Sequence, residues 1–167
     1  MHNDRSKAAA LGLPSVGFLA AVVAALAAIA FLALRPAAGE AAPAKGTVVS
    51  TASTSLGRIL VNSRGRTLYM FGKDRNGKSA CAGQCASFWP PLIAAGKPRV
   101  ASGAKASLIG TTRRADGRMQ VTYKRHPLYT FVKDTSKGQT KGEGLNAFGA
   151  NWYAVSPAGN KIVKYAP

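Results

Sequence analysis

The chain has 167 residues, with 23 Lys and Arg against 6 Asp and Glu, a formal net charge of +17. At 47% hydrophobic residues it is too apolar to be a disordered polyelectrolyte. Two Cys and two His, one of them His2, exclude multi-ligand zinc modules and disulfide-dense miniature folds.

The first predicted element is a hydrophobic helix. Val16 to Leu34 reads VGFLAAVVAALAAIAFLAL, 19 residues without a charge, and Arg5 and Lys7 precede it. About 20 apolar residues span a bilayer as a helix, and a secretory signal usually has a shorter apolar core. Residues 1–35 therefore read as a signal peptide or a retained N-terminal membrane anchor, and 36–46 as a Pro/Ala-rich linker. In both cases the rest of the chain is exported, periplasmic or extracellular, and a retained span holds it at the cytoplasmic membrane. Beyond Leu34 the chain keeps 21 basic and 5 acidic residues, net +16. That field favours anionic envelope polymers and lipid head groups, and nucleic acid only through phosphates without sequence preference. The charges also read as dispersed solubilising groups, because the runs Arg113-Arg114 and Lys124-Arg125 are short.

Residues 47–165 contain a repeat. VVSTASTSLGRILVNSRGRTLYMFGKD at 48–74 aligns without a gap on LIGTTRRADGRMQVTYKRHPLYTFVKD at 108–134, which places Val61 on Val121. Repeat one covers about 47–93 and repeat two about 107–165. In repeat one, strands at Ile59–Val61 and Thr67–Phe71 flank an Arg64-Gly65 turn. ACAGQCASFW, residues 80–89, suits a helix stopped by Pro90-Pro91. Ala94–Ala106 reads as a link between the halves. Repeat two has an Asp116-Gly117 turn, a strand at Met119–Tyr123 and a strand at Leu128–Phe131 entered through Pro127. A last pair, Trp152–Val155 and Lys161–Lys164, surrounds Pro157-Ala158-Gly159. The expected fold is mainly β, one compact domain from two tandem hairpin repeats with short helical turns, since neither half could bury much core alone.

Four features are candidate sites. Tyr69, Phe71 and Asp74 recur as Tyr129, Phe131 and Asp134. Strand alternation places each Tyr and Phe on one face, with the Asp at the strand end. Aromatic core plus loop-capping carboxylates is one reading, and a cation or ligand site shared by the two aspartates is the other. Cys81 and Cys85 are expected as a disulfide, close together as i and i+4 on a helical turn, with a reactive thiol or soft-metal pair as the alternative. Trp89 and Trp152, with Phe88 and Tyr153, form either core or a stacking platform for sugars or bases. His126 reads as a solvated turn residue. No nucleophile motif, phosphate loop or dinucleotide fingerprint is present, so the expectation is a non-enzyme without cofactor or metal.

LYMFGKD followed by CAGQCASFWPPL, and VTYKRHPLYTFVKD followed by GEGLNAFGANWYAVSPAG, resemble a bacterial family of predicted secreted or lipoprotein-type repeats named for its Tyr-x-(Phe/Trp/Tyr)-x-x-Asp motif. The resemblance covers about Val48 to Val163. It implies an extracytoplasmic, envelope-associated protein of tandem units and no defined reaction. Family members often carry a lipid-modified Cys after the leader, and this chain has none there, which leaves the hydrophobic span as its anchor. The expected role is a non-catalytic envelope binding or structural module with a cationic surface. The alternative is periplasmic redox or metal handling by Cys81 and Cys85.

Overall fold

The computed structural model describes residues 46–163, so the predicted N-terminal helix lies outside the described residues. Among the described residues, no helix is long and apolar enough to cross a membrane.

The described chain is mainly β, in three small sheets. β1 (Val48–Thr54) and β2 (Gly57–Asn62) form an antiparallel hairpin, and β3 (Tyr69–Phe71) follows after the Arg64-Gly65 turn. α1 (Gln84–Phe88) is a single turn of helix, closed where the Trp89 N–H reaches the Cys85 carbonyl at 2.8 Å and ended by Pro90-Pro91. β4 (Arg99–Val100) returns to pair in parallel with β1, so the segment expected as a plain link contributes an edge strand. β5 (Ile109–Arg113), β6 (Met119–Tyr123) and β7 (His126–Pro127) form the second hairpin sheet. β8 (Asn146–Ala147) and β9 (Ala150–Ala154) close the fold, with β9 paired to β3 of the first repeat.

That last pairing has a counterpart. Repeat two's Val155 bonds both strands of repeat one, accepting from Leu60 N–H at 2.7 Å and donating to the Leu68 carbonyl at 3.1 Å. Repeat one's Leu92 does the same for repeat two, with Val121 N–H at 2.8 Å and the Leu128 carbonyl at 2.8 Å. Each repeat therefore ends by completing the other. The two exchanged segments differ in one respect. Pro90 and Pro91 have no N–H to give, so Leu128–Phe131, expected as a strand, keeps only single bridges around Tyr129, whereas Tyr153 and Ala154 build a full ladder with β3.

These exchanges also revise the repeat register. Leu60 and Val121 occupy equivalent places, not Val61 and Val121 as the ungapped alignment has it. Repeat two spends three residues, Ala115–Gly117, between Arg114 and Arg118, where repeat one turns in two, Ser55-Leu56. It recovers the difference at the next turn, which is Lys124-Arg125 where repeat one has Ser63–Gly65. Two compensating one-residue changes are invisible to an alignment that matches on both sides of them.

Alternation along these strands feeds two cores. Ile59, Val61, Tyr69, Phe71, Tyr129 and Phe131 enter one cluster, while Leu60, Leu68, Met70, Val121, Leu128 and Val155 enter the other. The central strands are thus buried on both faces, as the three buried residues of β3 show. Among the described residues the two clusters draw on both repeats.

Candidate functional site

The motif aromatics meet in a stack at the junction of the repeats. Trp89 lies on Trp152 with ring centroids 3.9 Å apart and planes 2° from parallel. Phe131 stacks on the outer face of Trp89 at 4.2 Å, and Phe71 on that of Trp152 at 4.1 Å. Tyr69 meets Trp89 edge-on at 5.3 Å and Tyr129 meets Trp152 at 5.1 Å. Each aromatic pair contributes about 0.5–1.5 kcal/mol beyond the area it buries. The two indoles are fully buried, so a sugar or base has no tryptophan face to stack on, and the platform reading is corrected on that ground.

The tyrosine hydroxyls cross between repeats. Tyr69 donates to Asp134 Oδ2 at 2.6 Å, and Tyr129 donates to Asp74 Oδ2 at 2.9 Å. The second oxygen of each carboxylate accepts a loop N–H, Lys141 to Asp134 at 2.9 Å and Ala80 to Asp74 at 2.8 Å. Each aspartate therefore caps its own loop and receives the tyrosine of the other half. Burial pushes the Asp74 carboxyl up to about 6, against the lowering bonds from Ala80 and Tyr129. Burial likewise raises Asp134, against the bond from Tyr69. Both phenols are raised as well, by burial first and then by the facing carboxylate, so they remain neutral donors at physiological pH.

The carboxylates of the two crossed pairs are thus satisfied within the protein. Their oxygens already accept from tyrosine and backbone, and among the described residues no group of three His, Cys, Asp or Glu is placed to hold a metal.

A family model described as a secreted repeat of unknown function, Lipoprotein_15, matches residues 50–93 and 110–156. The chain belongs to this family. No curated protein and no solved structure matches it.

In this secreted repeat protein the cysteine pair is closed. Cys81 and Cys85 form a disulfide with Cα atoms 5.3 Å apart, and both residues are buried. Cys81 precedes α1 rather than sharing its turn, so the bridge ties an irregular segment onto the helix instead of joining two positions of one helical turn. In this closed form neither sulfur is a thiolate, so neither is available to ligate a metal.

A buried arginine escaped the sequence reading. Arg114, counted above among dispersed charges, is buried and donates to Gln120 Oε1 at 2.6 Å, the Cys81 carbonyl at 2.7 Å and Ser79 Oγ at 2.9 Å. Ser79 Oγ lies 2.7 Å from the Tyr129 hydroxyl, so this network joins the disulfide loop to the Asp74 pair. The signal available in the sequence was Gln120. A buried glutamine between the apolar Met119 and Val121 requires a polar partner. His126 is half-buried in β7 opposite Tyr123, outside the two-residue turn, and burial lowers its imidazole below the usual value.

Proposed function

We propose that this secreted repeat protein is a non-catalytic envelope module that binds anionic polymers or lipid head groups through its cationic surface. One observation carries the reading. The acidic side chains between Gly46 and Val163 are Asp74, Asp116, Asp134 and Glu143, and each is committed inside the domain. Asp74 and Asp134 hold the crossed tyrosines, Glu143 accepts the Ala154 N–H at 2.6 Å, and Asp116 pairs with Arg118 at 2.8 Å and with Arg114. Among the described residues the ion pairs are those of Asp116 with Arg114 and Arg118, and most of the other lysines and arginines are exposed, which favours a polyanion as ligand. The crossed pairs serve as a structural lock: each aspartate accepts from the tyrosine of the other half and from a backbone N–H of its own loop.

The test is retention of the fragment beginning at Gly46 on immobilised poly(glycerol phosphate) as salt is raised. The screening length falls from ~30 Å at 0.01 M to ~3 Å at 1 M, so release should come at moderate salt. Absence of retention at low salt refutes the reading, and retention unchanged by high salt refutes its electrostatic basis.

A further inference from the structure

One end of the aromatic stack opens onto an exposed apolar hollow. Phe88 ends α1 and Phe148 sits in the β8–β9 turn, with their rings 6.0 Å apart. Together with Leu145 they wall a hollow of about 230 Å³ floored by Trp89 and Phe131. Phe88, Val132, Leu145 and Phe148 are all exposed.

The knob also carries backbone strain. Phe148 has φ 58 and Gly149 φ 89, a two-residue hairpin turn of the kind that favours Asn-Gly. A phenylalanine in that conformation is held at a cost in stability, and its ring stays 37% exposed.

The surroundings are basic. Lys133 lines the hollow, and a methyl group on Gly149 would sit 3.6 Å from the ammonium of Lys73, the lysine equivalent to Lys133 in the other repeat. Phe131 and Val132 border a second groove with Arg64 and Arg66, and Arg64 also lines a third that reaches Arg99 and Gly46. The second groove shares Phe131 with the hollow, and Asn62 and Arg64 with the third. They make one strip that runs from the start of the described domain, across the arginines, to the phenylalanine knob.

We infer that this strip is a membrane-docking face whose occupant is a bilayer surface containing anionic lipid. Phe88, Leu145 and Phe148 enter the acyl boundary, while Lys73, Lys133, Arg64, Arg66 and Arg99 lie against lipid phosphates. This deepens the proposed function and rests on its cationic surface. A soluble polyanion would engage the arginines but give the phenylalanines no partner, which favours lipid over polymer. The tether agrees. Eleven residues separate Leu34 from Gly46, a reach of at most about 40 Å, so a retained leader keeps this end of the strip near the bilayer.

Both cores, as the described residues form them, lie within the fragment that starts at Gly46, and the chain's two tryptophans sit in the stack behind the knob, so they report lipid contact without labelling. The fragment is mixed with phosphatidylcholine vesicles, with and without phosphatidylglycerol, whose acyl chains are plain or brominated. Brominated chains should quench the tryptophans only when phosphatidylglycerol is present. Phe88→Ser and Phe148→Asn, both exposed substitutions, should each weaken vesicle binding by at least about fivefold while the fragment still melts cooperatively. Vesicle binding without bromine quenching, or binding indifferent to both substitutions, overturns docking but leaves charge-based binding standing. Equal losses on poly(glycerol phosphate) would assign the knob to a polymer and also overturn it. Binding to neither vesicles nor polymer removes both readings.

Discussion

Tyr69 and Tyr129 hold each other by the backbone in both directions: the Tyr69 N–H donates to the Tyr129 carbonyl at 2.9 Å and the Tyr129 N–H returns the bond at 3.0 Å. An approximate two-fold axis passes between them and between the stacked Trp89 and Trp152. Around that axis the repeats exchange three things: a terminal segment, a tyrosine hydroxyl and a tryptophan ring. The duplication is therefore not two beads on a string but two half-built units that complete one another.

Interlocking makes a prediction about fragments. Residues 46–93 alone lack Val155, Asp134 and Trp152, and 107–163 alone lack Leu92, Asp74 and Trp89. Neither piece should show near-ultraviolet circular dichroism or a cooperative melt, and mixing the two should restore both signals. A stable fold for either piece alone would show that the exchange is dispensable.

The crossed hydroxyls should matter unequally. Asp134 is fully buried, so Tyr69→Phe strips a charge-assisted bond from a carboxylate that water does not reach. The expected loss is about 2–3 kcal/mol in denaturant unfolding. Tyr129→Phe leaves Asp74 half-buried with its Ala80 bond intact, and about 1–2 kcal/mol is expected.

The pH dependence follows from Asp74. An unfolded aspartate titrates near 3.9, whereas the folded Asp74 sits at about 6. Between these values the folded chain holds a proton that the unfolded chain has released, so stability should rise as pH falls from about 6 to about 4. Asp134 and Glu143, both raised by burial, act in the same direction. Asp116, held below the usual carboxylate range by Arg118, acts oppositely but is exposed. Thermal midpoints across this range should therefore climb toward acid, and Asp74→Asn should flatten the climb. A profile that falls steadily below pH 6 would contradict the burial of these carboxylates.

Much of the architecture was legible because it is local. The motif alternation sorted Tyr69 and Phe71 from Leu68 and Met70, and Gly65 marked a turn. The disulfide was expected from compartment and spacing alone. What the sequence concealed was reciprocity. Nothing along the chain says that Tyr69 reaches Asp134 rather than Asp74, because the choice is made by the exchange of segments some 60 residues apart. The edge strand β4 was hidden for a related reason: two residues pairing in parallel across a long loop carry no local pattern.

Neighbouring arginines offer a sharp contrast. Arg113 is exposed on β5, while Arg114 donates into the disulfide loop and to Gln120. Arg113→Ala should change stability by less than about 0.5 kcal/mol. Arg114→Ala leaves Gln120 Oε1 without its donor and the Cys81 carbonyl with only the Ser79 hydroxyl at 3.2 Å, and should cost about 2–4 kcal/mol. Equal effects in urea unfolding would mean that the buried network contributes nothing.

Phe148 tests whether strain has been kept at the knob for a reason. Asparagine tolerates the left-handed conformation that the turn requires better than phenylalanine does, and the phenylalanine ring is 37% exposed. Phe148→Asn should therefore stabilise the domain by about 0.5–1 kcal/mol, raising its melting midpoint by about 2–5 °C in differential scanning calorimetry. Replacing Gly149 by alanine is the matching control. It leaves Phe148 in place and forces a methyl group onto a residue at φ 89, so the midpoint should fall. A substitution that stabilises the fold yet weakens attachment to lipid would show that the chain keeps a less stable turn in order to present an aromatic side chain. If Phe148→Asn instead lowers the midpoint, the ring is part of the core's closure, and the strain at this position has a packing explanation.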